Sequence, residues 1–130
     1  MRILVDSSIW SVSLKPGRSH PQGDRLKHQI VTGSQVFLLG IVLQEVLQGI
    51  RDPNVTESIY AELSAFECFV PTLEDHREAA ELYKQARVRG VSAGTVDCLI
   101  ATMAITHDCR LHTLDRDFER IAEFSDLELF

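Results

Sequence analysis

Four carboxylates, Asp6, Glu45, Asp97 and Asp115, each stand close behind an apolar run or open an apolar helical pattern. Asp6 ends Ile3-Leu4-Val5, and Glu45 follows soon after Val36-Phe37-Leu38-Leu39. Asp97 lies in the first turn of an apolar segment, and Asp115 ends Leu111-His112-Thr113-Leu114. Carboxylates packed together cannot all ionise cheaply, because each raises the pKa of the others. A divalent cation relieves that repulsion, and an all-oxygen donor set that retains waters suits Mg²⁺ or Mn²⁺. The chemistry on offer is therefore that of a hard cation and the water it activates. It requires a fold that gathers acids from four distant segments.

The elements alternate in a way that permits this. Strands are predicted at Arg2–Val5, Val36–Leu39, Cys68–Val70 and Arg110–Leu114, with an edge strand at Leu127–Leu129. Helical spacing runs from about Ile9, over Leu26–Val31 and Ile41–Ile50, from Asp52-Pro53 to about Glu67, and over Leu73–Arg89, Thr95–His107 and Asp117–Phe124. Lys15–Asp24, with Pro16, Gly17, Pro21 and Gly23, reads as a loop. Strands alternating with helices imply a three-layer α/β/α single domain, residues 1–130, with a mostly parallel central sheet. Ligands in such sheets bind beyond the carboxyl ends of the strands. Asp6 and Asp115 lie at that edge, and helices carrying Glu45 and Asp97 start from it.

Side-chain direction separates the four. On the Thr95–His107 helix, Thr95, Thr102 and Thr106 form a polar stripe, and Asp97 projects opposite, beside Ile100, Ala101 and Ala104. A buried carboxylate there must be paired, hydrogen-bonded or metal-bound. Glu45 shares the polar side of its helix with Gln44 and Gln48, so the wheel alone reads it as a solvated glutamate. Asp6 also reads as a helix N-cap, Asp115 as a turn residue, and Asp117 as the cap of the last helix.

Composition narrows the class. The chain has 130 residues, 45% of them hydrophobic, enough for one core. No segment approaches the ~18–20 apolar residues of a membrane span, and no leader pattern opens the chain, so a cytoplasmic location is expected. The three cysteines read as free thiols rather than a disulfide framework. His107, Cys109 and His112 straddle a helix end and a strand start without zinc-site spacing, and read as turn and core residues. A net charge of −6 argues against general nucleic-acid binding through Lys and Arg. Metal-binding carboxylates also lower that sum, and the metal would then attract phosphate.

Four ordered segments resemble a PIN domain: Ile3-Leu4-Val5-Asp6-Ser7-Ser8, Val42-Leu43-Gln44-Glu45-Val46, Gly94-Thr95-Val96-Asp97-Cys98-Leu99-Ile100-Ala101, and Leu111-His112-Thr113-Leu114-Asp115-Arg116-Asp117-Phe118. The resemblance spans essentially the whole chain, and the size is similar to VapC-type toxins, the ribonuclease halves of toxin–antitoxin pairs. It implies that Asp6, Glu45, Asp97 and Asp115 form the acidic site, binding Mg²⁺ or Mn²⁺, with Ser8, Thr113 and Asp117 in support. Many relatives carry Thr or Asn where this chain has Ser7 and Ser8. The implied reaction is endonucleolytic hydrolysis of RNA phosphodiesters, and the implied partners are an RNA substrate, a cognate antitoxin and a second copy in a homodimer.

Arg116, Lys15, Arg18 and His20 are candidate RNA contacts, and read equally as solvated surface residues. Trp10 reads as core or partner interface. A haloacid-dehalogenase-like phosphatase would want a second Asp where Ser8 stands, and a receiver domain would want a lysine where Arg116 and Asp117 stand. A catalytically silent PIN scaffold is the remaining rival, although no member of the quartet has been replaced by an uncharged residue.

Overall fold

The apolar runs become the middle of a parallel sheet. The computed structural model describes residues 1–130. Strands β1 (Arg2–Val5), β2 (Gln35–Leu39), β3 (Glu67–Phe69), β4 (Arg110–His112) and β5 (Glu128–Leu129) lie in the order β3-β2-β1-β4-β5. Every pairing is parallel. The register sets Leu4 beside Phe37 on one side and beside Leu111 on the other. Ile3, Leu4, Val5, Leu38, Leu39 and Leu111 are all but inaccessible to solvent, as expected of strands covered on both faces.

The helices are α1 (Ser7–Ser13), α2 (Pro21–Val31), α3 (Gly40–Gln48), α4 (Pro53–Leu63), α5 (Leu73–Val88), α6 (Thr95–Thr106) and α7 (Asp117–Ala122). Right-handed crossovers from β1 to β2 and from β2 to β3 put α1–α4 on one face, and the return to β4 puts α5 and α6 on the other. The contacts agree: α1 packs on α2 and α3, α3 on α4, and α5 on α6. This is the expected three-layer arrangement. No helix is long and apolar enough to cross a membrane.

Several boundaries differ from expectation. The expected Lys15–Asp24 loop stops at His20, because Pro21 takes the first helical position and His20 Nδ1 accepts the Gln22 N–H at 3.1 Å. Gly23 is a packing residue rather than a breaker: a Cβ there would meet Ser13 Cα and Oγ at 3.1 Å, where α2 crosses α1. α4 ends at Leu63, short of Glu67, whose segment begins β3. α1 starts at Ser7, ahead of Ile9, and β4 ends at His112, ahead of Leu114. The threonine stripe of α6 is only partly solvated, since Thr102 is buried while Thr95 and Thr106 are exposed.

Other residues fall as read. Trp10 is buried and packs against Phe66 at 5.3 Å between ring centroids. Cys68, Cys98 and Cys109 are free thiols, the last two buried. His107 stacks on Phe69 at 3.8 Å, while His112 is bonded through Nε2 to Gln22 Oε1 at 3.0 Å.

One feature of the strand order positions the site. The chain leaves β1 toward β2 and later returns to pair β4 on β1's other side, so β1 and β4 flank the topological switch point. Asp6 and Asp115 follow these two strands.

Candidate active site

Asp6 is the buried hub of the switch point, 6% exposed. Its main-chain N–H donates to His112 O at 3.0 Å, which ties the end of β1 to the end of β4. As N-cap of α1, its Oδ1 accepts the Ser7 N–H at 2.7 Å. Its Oδ2 accepts from Ser8 Oγ at 3.0 Å and from Thr113 Oγ1 at 2.8 Å. Both hydroxyls therefore spend their protons on one carboxylate oxygen. Ser8 Oγ in turn accepts the Leu114 N–H, and Thr113 Oγ1 accepts the Asp115 N–H, each at 3.0 Å. The 3.5 Å approach of Ser8 Oγ to Thr113 Oγ1 is consequently a contact between two acceptors.

The network runs on to Asp115. Its Oδ1 accepts the Asp117 N–H at 2.9 Å, and its carbonyl accepts from Phe118. Asp115 thus serves the first N–H of α7 with its side chain, while Arg116 stands at the N-cap position itself. Asp117, expected as that cap, is instead the first helical residue, because the turn after Thr113 brings Asp115 round to the exposed N–H groups.

Asp97 is the third residue of α6, and its Oδ2 accepts the N–H of the N-cap residue Gly94 at 3.3 Å, with no reciprocal bond because glycine has no side chain. It is half-buried. Desolvation pushes its carboxyl above the usual value of 3.8, and the charges of Asp115, Asp6 and Asp117 push the same way against the Gly94 bond. Glu45 is exposed, as the wheel implied, yet it lies near enough to Asp6 and Asp97 to feel their charges. Its carboxyl is raised above 4.5 by partial desolvation and by Asp6 and Asp97, while the Ser7 side chain opposes the shift. The four expected acids, with Asp117, thus share one electrostatic environment. Arg77–Glu74, Lys84–Glu81 and Arg110–Glu128 are the molecule's ion pairs, so no lysine or arginine neutralises the cluster.

The donor set is all carboxylate and hydroxyl oxygen, which suits a hard cation. No three acid, histidine or cysteine side chains are drawn close enough together to hold an ion unaided. Ser8 and Thr113 donate to Asp6, and Asp117 donates its N–H to Asp115. Arg116 is exposed on the turn between Asp115 and α7, and Lys15 and Arg18 line a separate cleft at the far end of α1. Sequence reasoning gave Ser7 no role beyond the cap region, although it serves Asp6 through its N–H and faces Glu45 through its hydroxyl. The paired serines after Asp6 were the available signal.

A family model described as PIN domain matches residues 3–124. VapC ribonuclease Mb1587 of Mycobacterium bovis and ribonuclease VapC11 of Mycobacterium tuberculosis are each 27% identical over 128 residues, covering 97% of this chain and 96% of the relative. Among solved structures, VapBC2 of Rickettsia felis bound to promoter DNA superposes with a TM-score of 0.81 at 21% identity, covering 100% of this chain and 98% of the other. DNA-bound VapBC of Salmonella typhimurium gives 0.80 at 17% identity, covering 100% and 97%. VapC20 of Mycobacterium tuberculosis, titled a sarcin-ricin loop cleaving toxin, gives 0.70 at 18%, covering 97% and 98%.

Proposed function

The chain belongs to the PIN domain family, and on that premise we propose that it is a metal-dependent endoribonuclease, the toxin of a toxin–antitoxin pair. The observation that carries the reading is the un-neutralised acid cluster at the β1/β4 switch point, with Asp6 held by Ser7, Ser8 and Thr113. The names of the ribonuclease relatives point the same way. The VapBC complexes among the structural neighbours support an antitoxin partner. In the same reading the chain works as one domain over residues 1–130, as a cytoplasmic homodimer.

Asp6, Asp97 and Asp115 would hold Mg²⁺ or Mn²⁺, directly or through water, with Glu45 as a further ligand or as the residue that orients the attacking water. Such an ion supplies charge neutralisation at the scissile phosphate and a more acidic bound water. Ser8 and Thr113 fix the Asp6 carboxylate by donating to the same oxygen, and hold the Asp115 turn through their accepted N–H groups. Glu45, raised toward neutrality, suits a proton acceptor better than an ordinary carboxylate does. Asp117 would add negative charge at the rim, and the exposed Arg116 would meet a flanking phosphate.

The test is cleavage of an RNA panel with Mg²⁺ or Mn²⁺ by the native chain and by Asp6→Asn and Asp97→Asn, all purified free of host nucleases. Loss of cleavage in both variants with the fold retained is expected. Native-level activity in either variant would overturn the site assignment, and an inactive native chain would favour a silent scaffold.

A further inference from the structure

The acid cluster repels the polymer it is proposed to cut, and one ion at the scissile bond neutralises only that neighbourhood. RNA affinity rests mainly on Lys and Arg contacts to phosphate, so the surface near the acids should contain a place for them. α1 leads to it. The helix starts at the Asp6 cap and ends at the Leu14 cap, a run of about 12 Å at ~1.5 Å per residue. At its far end opens a cleft of about 840 Å³ between the α1–α2 loop and α4.

Lys15, Arg18 and Lys27 line this cleft against one carboxylate, Glu62, in a chain whose net charge is −6. All three cations are exposed, and none belongs to an ion pair. Asn54 and Ser58 add neutral hydrogen-bonding groups to the lining. Three of the thirteen lining residues are hydrophobic. Spaced cations with neutral donors and little apolar surface suit a sugar–phosphate backbone better than an apolar side chain.

We propose that this cleft is a phosphate-binding subsite, which grips the single strand of RNA a few nucleotides from the bond that is cut. The inference rests on the ribonuclease reading and deepens it. α1 then acts as the spacer between the reacting phosphate at its N-terminal cap and the anchored phosphates at its C-terminal end. The anchor is sequence-independent, since no base edge is needed for it, and it favours long substrates over short ones.

The experiment uses the full chain and a labelled single-stranded RNA of about ten nucleotides. Binding is read by fluorescence anisotropy across a KCl titration in an Asp97→Asn background, and KM is read in the native background. Each lost phosphate contact lowers the slope of log K against log salt by about 0.7 for a single strand, so Lys15→Gln/Arg18→Gln/Lys27→Gln should lower it by about 2 and Arg18→Gln alone by about 0.7. KM should rise by roughly ten-fold or more at physiological salt.

Circular dichroism serves as the folding check, since the three side chains are exposed and unpaired. Arg77→Gln/Lys84→Gln/Arg87→Gln on α5 is the charge-matched control, and a slope that falls equally there overturns the subsite. So does a triple variant with native KM and native slope while the native chain cleaves RNA. A triple variant that keeps its RNA affinity but loses binding to a glutamate-rich peptide also overturns it, assigning the cleft to an acidic protein segment. A native chain that cleaves no RNA overturns the ribonuclease reading instead, and this inference with it.

Discussion

Replacing Thr113 by valine removes one hydroxyl and almost no volume, yet that hydroxyl serves two acids. It donates to Asp6 Oδ2 at 2.8 Å and accepts the Asp115 N–H at 3.0 Å. The variant leaves Oδ2 with Ser8 alone and strands the Asp115 N–H. A hydrogen bond to a charged group contributes about 1.5–3 kcal/mol, and an unpaired buried donor costs about 1–3 kcal/mol. Thr113 is only half-buried, so water recovers part of the loss. A net destabilisation of about 2 kcal/mol follows, which for a domain of this size lowers Tm by about 6–8 °C.

The larger effect falls on the site. Residues that orient metal ligands typically change metal affinity or activity by about 10–100-fold when removed, and in the proposed site one removal would release two ligands, Asp6 and Asp115, together. Mn²⁺ affinity by calorimetry and RNA cleavage rate should therefore fall together by at least about ten-fold. Thr113→Ser, which keeps the hydroxyl, should restore both. Native Mn²⁺ affinity and native cleavage in Thr113→Val would refute the network as the device that holds Asp6 and Asp115.

Three further outcomes follow from the charges. Asp97 and Glu45 have raised pKa values, so ionisation disfavours the metal-free fold: the penalty is absent below 3.8 and 4.5, grows as pH rises through the raised values, and is complete above them. Chelated Asp97→Asn should accordingly melt higher than the chelated native chain at neutral pH, and added Mg²⁺ should narrow the gap; a lower Tm for the variant would contradict the shared repulsion. Glu45→Gln should lower kcat and flatten the acid limb of the pH–rate profile, and an unchanged limb would remove Glu45 from proton transfer. His112 is buried and lowered from 6.5 to about 4, mainly by desolvation and then by Arg25. The unfolded chain then takes up a proton that the fold refuses, so about 3 kcal/mol of stability is lost as pH falls from 6.5 toward 4; urea unfolding at pH 7 and 4.5 should show the loss in the native chain and little of it in His112→Gln.

Much of the fold was legible because apolar runs and caps are local signals. β1, β2, α5 and α6 fall within a residue or two of their expected limits, since each combines a clear hydrophobic period with a stop. The misreadings occurred where tertiary contact outweighs composition. Gly23 reads as a loop residue in sequence, but α1 approaches so closely that only glycine fits without strain. Thr102 reads as solvated, but α5 lies over that part of α6 and buries it. Lys27 went unremarked, because its neighbours across the cleft, Asn54 and Ser58, lie one strand and one helix further along the chain.

The acids themselves show why the structural and chemical readings of the sequence were not alternatives. Asp6 caps α1, Asp97 accepts the Gly94 N–H at the start of α6, and Asp115 accepts the Asp117 N–H that opens α7. Each is therefore the N-terminal residue the helix needs and an acid at the sheet edge, because a helix that follows a parallel strand begins at that edge. The helix N-terminus favours each charge by about 0.3–1 kcal/mol, and the donated N–H groups fix the rotamers, so capping offsets part of the repulsion of assembling them. Glu45 alone has no such role, since it lies in the middle of α3 with no backbone donor. A residue with no local function leaves no local signature, which is why the wheel placed Glu45 in solvent. It also makes Glu45 the acid whose replacement removes no cap, a split that Glu45→Gln and Asp115→Ala would display side by side in chelator: a Tm no lower than native in the first, where desolvation and the neighbouring acids already penalise the charge, and a measurable loss in the second, which strands the Asp117 N–H.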